Sequence, residues 1–160
     1  MIGGWSCTKA REYINRHSIK DCWLAYDGAA VPADYGIPCR KLPANIGDAG
    51  DIPPPGAEGL FILSDLTISG IEWEPGALNP YRAFVEAVPS DNIAGALLVY
   101  QGKFDLRDVV AVAHIARANN LLGDRPAEAL AEARAAVALT PTSVRAHLGM
   151  GRALVALGRK

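Results

Sequence analysis

Gly59-Leu60-Phe61-Ile62-Leu63-Ser64-Asp65 is the stretch that decides the fold. Four apolar residues run without a polar break and stop at a turn-forming pair. A continuous apolar run of this length reads as a strand buried on both faces. Two further runs match it. Cys22-Trp23-Leu24-Ala25-Tyr26 ends in Asp27-Gly28, and Ala96-Leu97-Leu98-Val99-Tyr100 ends in Gln101-Gly102.

Helical signals lie between these runs. Ala10, Tyr13, Ile14 and His17 recur at helical spacing, which predicts an amphipathic helix over Thr8 to Arg16, capped by Ser6 or Thr8. Asn79-Pro80 pairs an N-cap with proline at the first helical position, and Tyr81, Phe84, Val85 and Val88 form the stripe behind it. Residues 31–55 are rich in Pro and Gly, with one helical turn expected near Ala33 to Tyr35. Strands alternating with helices predict an α/β unit: a small three-stranded parallel or mixed sheet with flanking helices.

The rest of the chain differs in composition. Residues 1–105 hold 8 basic and 13 acidic residues, a net of −5; residues 106–160 hold 8 and 4, a net of +4. Nine of the eleven prolines belong to the first part. The shift predicts a small α/β domain over 1–104 and a helical unit over 105–160, with opposite charges that favour docking. Helices are expected over Leu106–Leu122, Ala127–Leu139 and Ser143–Leu157, with Asp105 and Pro126 at the start of the first two and Thr142 or Ser143 capping the third.

The helical unit repeats itself. Ile115-Ala116 precedes Leu122-Gly123, Met150-Gly151 precedes Leu157-Gly158, and the two Leu-Gly pairs are 35 residues apart. Ala129, Ala136 and Leu139-Thr140-Pro141 lie between them. This succession resembles the tetratricopeptide repeat, departing from it at Asn119 and Ala133, where large aromatics are usual. The resemblance implies about one and a half repeats, with the small residues Ala116, Gly151, Ala129 and Ala136 at the helix contacts. The bland alternative is an alanine-rich hairpin without repeat ancestry. With the chain ending at Lys160, Leu148, Leu154, Val155 and Leu157 of the last helix are expected to lack a neighbour and to form a protein interface, through self-association or with a partner protein.

Chemistry is sparse. There is no P-loop, GxGxxG, HExxH, GxSxG or CxxC pattern, so no catalytic residue, metal site or cofactor is predicted. His17, His114 and His147 are scattered and read as surface or packing residues. Glu72 and Glu74 flank Trp73 in what reads as an exposed, solvated loop. The arginines of the helical unit lack interleaved aromatics, and the net charge of −1 excludes a strongly basic nucleic-acid binder. No apolar run reaches the ~18–20 residues of a membrane span, and no export signal opens the chain. Three cysteines (Cys7, Cys22, Cys39) argue against a closed disulfide framework. They read as free thiols in a reducing compartment, with one pair in an oxidising compartment left open. If the strands are parallel, their carboxyl ends bring Tyr26, Asp27, Ser64, Asp65 and Tyr100 to one edge, a candidate site for a small polar ligand such as a carbohydrate.

The succession Trp23-Leu24-Ala25-Tyr26-Asp27-Gly28, Pro32-Ala33-Asp34-Tyr35-Gly36-Ile37, the Pro53-Pro54-Pro55-Gly56 connector, Gly59 to Ser64 and Leu97 to Tyr100 resembles the soluble C-terminal domain of bacterial protein-mannosyltransferase-like, lipid-phosphate-sugar-dependent membrane glycosyltransferases. The resemblance covers about residues 10–100. In that family the catalytic acids belong to the membrane portion, so it implies an extracytoplasmic accessory domain with no catalytic residue of its own. Without the resemblance, a cytoplasmic location is expected. The sequence thus predicts a protein-interaction domain. The rivals are a carbohydrate-binding protein or small enzyme built on the strand-end edge, and a stable fragment with no function of its own.

Overall fold

The computed structural model describes residues 3–73 and 79–158. Its first elements are α1 (Gly3–Arg16), β1 (Trp23–Ala25), a 3₁₀ turn at Pro32–Tyr35, β2 (Arg40–Lys41), β3 (Gly56–Ser64), α2 (Asp65–Ser69) and α3 (Arg82–Val85). Then come β4 (Asp91–Ile93), β5 (Leu97–Asp105), α4 (Arg107–Leu121), α5 (Pro126–Leu139) and α6 (Val144–Ala156). The fold is mixed α/β.

The sheet has five strands in the order β2-β1-β3-β5-β4, not three. The three apolar runs form β1, β3 and β5. The additional edge strands carry exposed polar residues (Arg40 and Lys41; Asp91 and Asn92) and join through the backbone. β1 runs parallel to β2 and β3, whereas β3 is antiparallel to β5 and β5 to β4. β3 and β5 extend beyond their apolar cores, with Glu58 opposite Lys103 and Gly59 opposite Gly102. Ala94 and Gly95 (φ 56° and 74°) turn the chain between β4 and β5.

Alternation along the strands makes two apolar layers. Leu24, Ile62, Leu97 and Val99 face α1, against Cys7, Ala10 and Ile14. Trp23, Phe61, Leu63 and Tyr100 face the opposite side, against Trp73, Tyr81 and Phe84. There Phe84 stacks on Phe104 at 4.1 Å and meets Tyr100 edge-on at 5.1 Å. The same layer takes in Leu106, just before α4, and Val109 and Val110 of α4, so apolar burial joins the helical unit to the sheet. The cross-unit polar contacts are few. Among the described residues they include Arg82 with Asp108 (3.0 Å), the Arg117 guanidinium donating to the Gly50 carbonyl (3.2 Å) and the Leu106 amide donating to the Pro55 carbonyl (2.7 Å). In that ion pair the cation belongs to the acidic part and the carboxylate to the basic part. The opposite net charges therefore do not direct this contact.

Several local expectations are corrected. α1 starts at Gly3, so Ser6 and Thr8 lie inside it; Ser6 is buried and the Thr8 hydroxyl donates to the Gly4 carbonyl. The Asn79 carboxamide does accept from the Tyr81 amide, but α3 is a single turn that leaves Val85 and Val88 exposed. Trp73 is buried and donates its indole N–H to the Thr67 carbonyl; Glu74 lies outside the described residues. Cys22 and Cys39 form a disulfide, leaving Cys7 as a buried free thiol. Each half-cystine immediately precedes one of two paired parallel strands, and the Arg40 amide bonds to the Cys22 carbonyl, which brings the two together.

The helical unit follows its sequence punctuation. The Asp105 carboxylate accepts from the Arg107 amide at the start of α4, Pro126 opens α5, and the Ser143 hydroxyl caps α6 by accepting from the Ala146 amide. Ala129, Ala133, Ala136, Ala146 and Ala153 are buried, so the helices approach closely. Gly151 faces outward; Gly149 takes the contact expected of it, with its α-carbon turned to Ala133.

Candidate functional site

The expected strand-end edge is only partly assembled. Ala25 pairs with Leu63, so Tyr26-Asp27 and Ser64-Asp65 leave adjacent parallel strands side by side. β5 runs the other way. Tyr100 pairs with Phe61 inside the sheet and is buried among the aromatic rings. Each remaining side chain has a structural partner or place. Asp27 accepts from the Asn45 carboxamide (3.1 Å), Asp65 accepts from the Leu66 amide (2.8 Å), and Ser64 is buried. The Tyr26 hydroxyl is hydrogen-bonded with the Cys7 thiol. Burial, followed by the neighbouring Cys7, pushes its pKa up to about 12, and burial pushes the Cys7 thiol up as well.

The loop beside this edge is pinned in place. The fully buried Tyr81 donates its hydroxyl to the Pro43 carbonyl (2.5 Å), and Thr67 donates to the Ala44 carbonyl. Asp48 accepts from the Ala44 and Gly50 amides and pairs with Lys41. These bonds hold the loop.

The histidines are also engaged. His114 Nδ1 lies 2.6 Å from the Glu132 carboxylate and links α4 to α5. His147 Nε2 donates to the Pro141 carbonyl, and His17 packs on Tyr13. Among the described residues, no group of three or more His, Cys, Asp or Glu side chains could hold a metal ion.

The surface left to consider is that of α6, which has two faces. The inner face packs Met150, Ala153, Leu154 and Leu157 against Ala129 and Leu130 of α5. Leu154 and Leu157, expected at an interface, are therefore partly buried within the chain. The outer face carries Val144 (83% exposed), Leu148 (51%) and Val155 (76%). Val144 is not among the residues expected there, although it belongs to the 4-3-4 spacing Val144, Leu148, Gly151, Val155. Beside this face is a cleft of about 630 Å³ lined by α4 and α6, with Ile46 and Pro80 also among its lining residues. Asp108, Ile115 and Asn119 line its α4 wall, and Arg145, Leu148 and Arg152 its α6 wall.

Compared with family models, curated proteins and solved structures, the chain matches none. The surface itself defines the candidate class: an α/β body presenting a cationic helix with an uncovered apolar stripe.

Proposed function

We propose that this chain is a protein-interaction domain whose contact surface is the outer face of α6. One observation carries the reading: three large aliphatic side chains stand exposed on one stripe of a helix whose opposite stripe is well packed. Contiguous apolar surface of this kind marks interaction sites in folded proteins. The α/β unit acts as the rigid base, because its apolar layer continues into α4. For the setting we propose an extracytoplasmic position beside a membrane glycosyltransferase-like protein. The Cys22–Cys39 disulfide supports an oxidising compartment. Among the described residues, no helix is long and apolar enough to cross a membrane.

The test is recovery of proteins bound to the tagged intact chain from its own cells. A protein recovered with wild type and with Val88→Asp, but lost with the double variant Leu148→Asp/Val155→Asp, supports the reading. Val88 is the control because it is more exposed than either residue and lies off α6. Equal recovery with all three chains contradicts it.

A second reading, small-ligand binding, moves from the strand ends to the cleft. Its volume lies within the ~300–1,000 Å³ usual for ligand sites. A saccharide that raises the melting temperature of wild type but not of Arg152→Ala would favour this reading.

A further inference from the structure

We infer that the outer face of α6 receives an amphipathic helix of a partner protein, with carboxylates flanking that helix's apolar seam. The inference rests on the protein-interaction reading above and specifies the partner. Val144, Leu148, Gly151 and Val155 follow one another at 4, 3 and 4 residues. This is the spacing of a heptad seam, which a straight groove or an extended strand would not require but a packing helix does. Gly151 sits in mid-seam, and a side chain built there would meet nothing within 4 Å. It leaves a hole between Leu148 and Val155 for one large apolar knob.

Charge selects the occupant. Arg145 and Arg152 follow the seam along one flank, seven residues apart, and both line the adjoining cleft. Arg152 makes no hydrogen bond or ion pair with any described residue. From Ala133 to Lys160 the sequence has five cations and no carboxylate. A second copy of this chain would therefore bring no carboxylate to those flank positions, and packed antiparallel it would set arginine against arginine. A helix with glutamate or aspartate at those positions meets both requirements, the apolar seam and the charge.

The test uses the intact chain and two lactam-stapled helical peptides. Both carry leucine at the 4-3-4 spacing; one has glutamate on its flanks and the other lysine. Binding is read by fluorescence anisotropy, and self-association by light scattering. The expected result is that the glutamate peptide binds at least about ten-fold more tightly than its lysine twin at low salt. The difference shrinks as salt is added, Arg152→Glu reverses the preference, and Leu148→Asp removes binding. Val144→Asp serves as a second disruptive variant if Leu148→Asp loses its helical circular dichroism. Equal binding of both peptides, abolished by Leu148→Asp, overturns the acidic partner but leaves α6 as the contact face. Binding of neither peptide overturns the inference, and the protein-interaction reading then stands or falls on the recovery experiment. A dimer dissolved by Leu148→Asp overturns the inference in favour of a second copy.

Discussion

Leu154 and Val155 are consecutive residues of α6 that face opposite environments: Leu154 packs on the α5 cluster, while Val155 is 76% exposed. The change of face along one peptide unit is what a helix of 3.6 residues per turn imposes. It separates the residues that hold the helical unit together from those available to a partner.

That separation predicts unequal costs. Leu130→Ala empties a buried contact with α6 and is expected to cost about 2–5 kcal/mol. Leu148→Gln and Val155→Thr alter only the outer face and are expected to stay within about 0.5 kcal/mol of wild type. Urea unfolding followed by circular dichroism measures all three. A large loss from Val155→Thr would show that the outer face is already covered.

Gly50 holds a left-handed conformation (φ 54°), and an added Cβ would lie 2.8 Å from the Pro43 nitrogen. Gly36 has a similar φ of 69° but open space around it. Gly50→Ala is expected to cost about 1–3 kcal/mol more than Gly36→Ala, which bears the backbone penalty alone. Melting temperatures of the two variants decide this. Equal shifts would mean that the loop yields easily.

Tyr81 predicts the alkaline limit of stability. Burial holds its phenol well above the ordinary value of 10.0. The folded state therefore keeps the proton while the unfolded chain loses it near that value. This contribution is complete below pH 10 and is lost as the pH rises beyond it. Tyr81→Phe leaves the Pro43 carbonyl without its donor, at a cost of about 1–3 kcal/mol near neutral pH, and makes the alkaline fall shallower. Urea midpoints across the alkaline range, for both chains, test the sign. Stability of wild type that rises with alkaline pH would contradict it.

The cysteines are predicted to behave differently from one another. Replacing Cys22 and Cys39 by alanine opens a loop of 17 residues and is expected to cost about 3 kcal/mol. Cys7 is buried and its thiol is pushed up by that burial. A thiol reagent should find almost no reactive cysteine in the native chain and one after unfolding. Three thiols after unfolding without reductant would exclude the disulfide.

The parts of the fold that were legible in the sequence were those with local signals. β1, β3 and β5 showed as apolar runs, and α4 to α6 were bracketed by Asp105, Pro126 and Ser143. What was hidden depends on pairing. Arg40-Lys41 and Asp91-Asn92 become strands only because a neighbour offers its backbone. The turn at Ala94-Gly95 makes β4 and β5 a hairpin, and the antiparallel pairing of β5 with β3 is what removes Tyr100 from the expected edge. The disulfide follows from the same cause, since only the pairing of β1 with β2 brings Cys22 to Cys39. At α6 the exposed residues were half legible. Leu148 and Val155 were foreseen, but Leu154 and Leu157 turn inward because Ala129 and Leu130 of α5 lie beneath them.

The outer face of α6 is proposed to be covered by another protein where this chain works. The most direct measurement is photo-crosslinking in those cells, with a benzophenone amino acid placed at Val155 in one chain and at Val88 in another. One discrete cross-linked protein is expected from position 155 and none from position 88. No adduct at 155, or the same adducts from both positions, would contradict it.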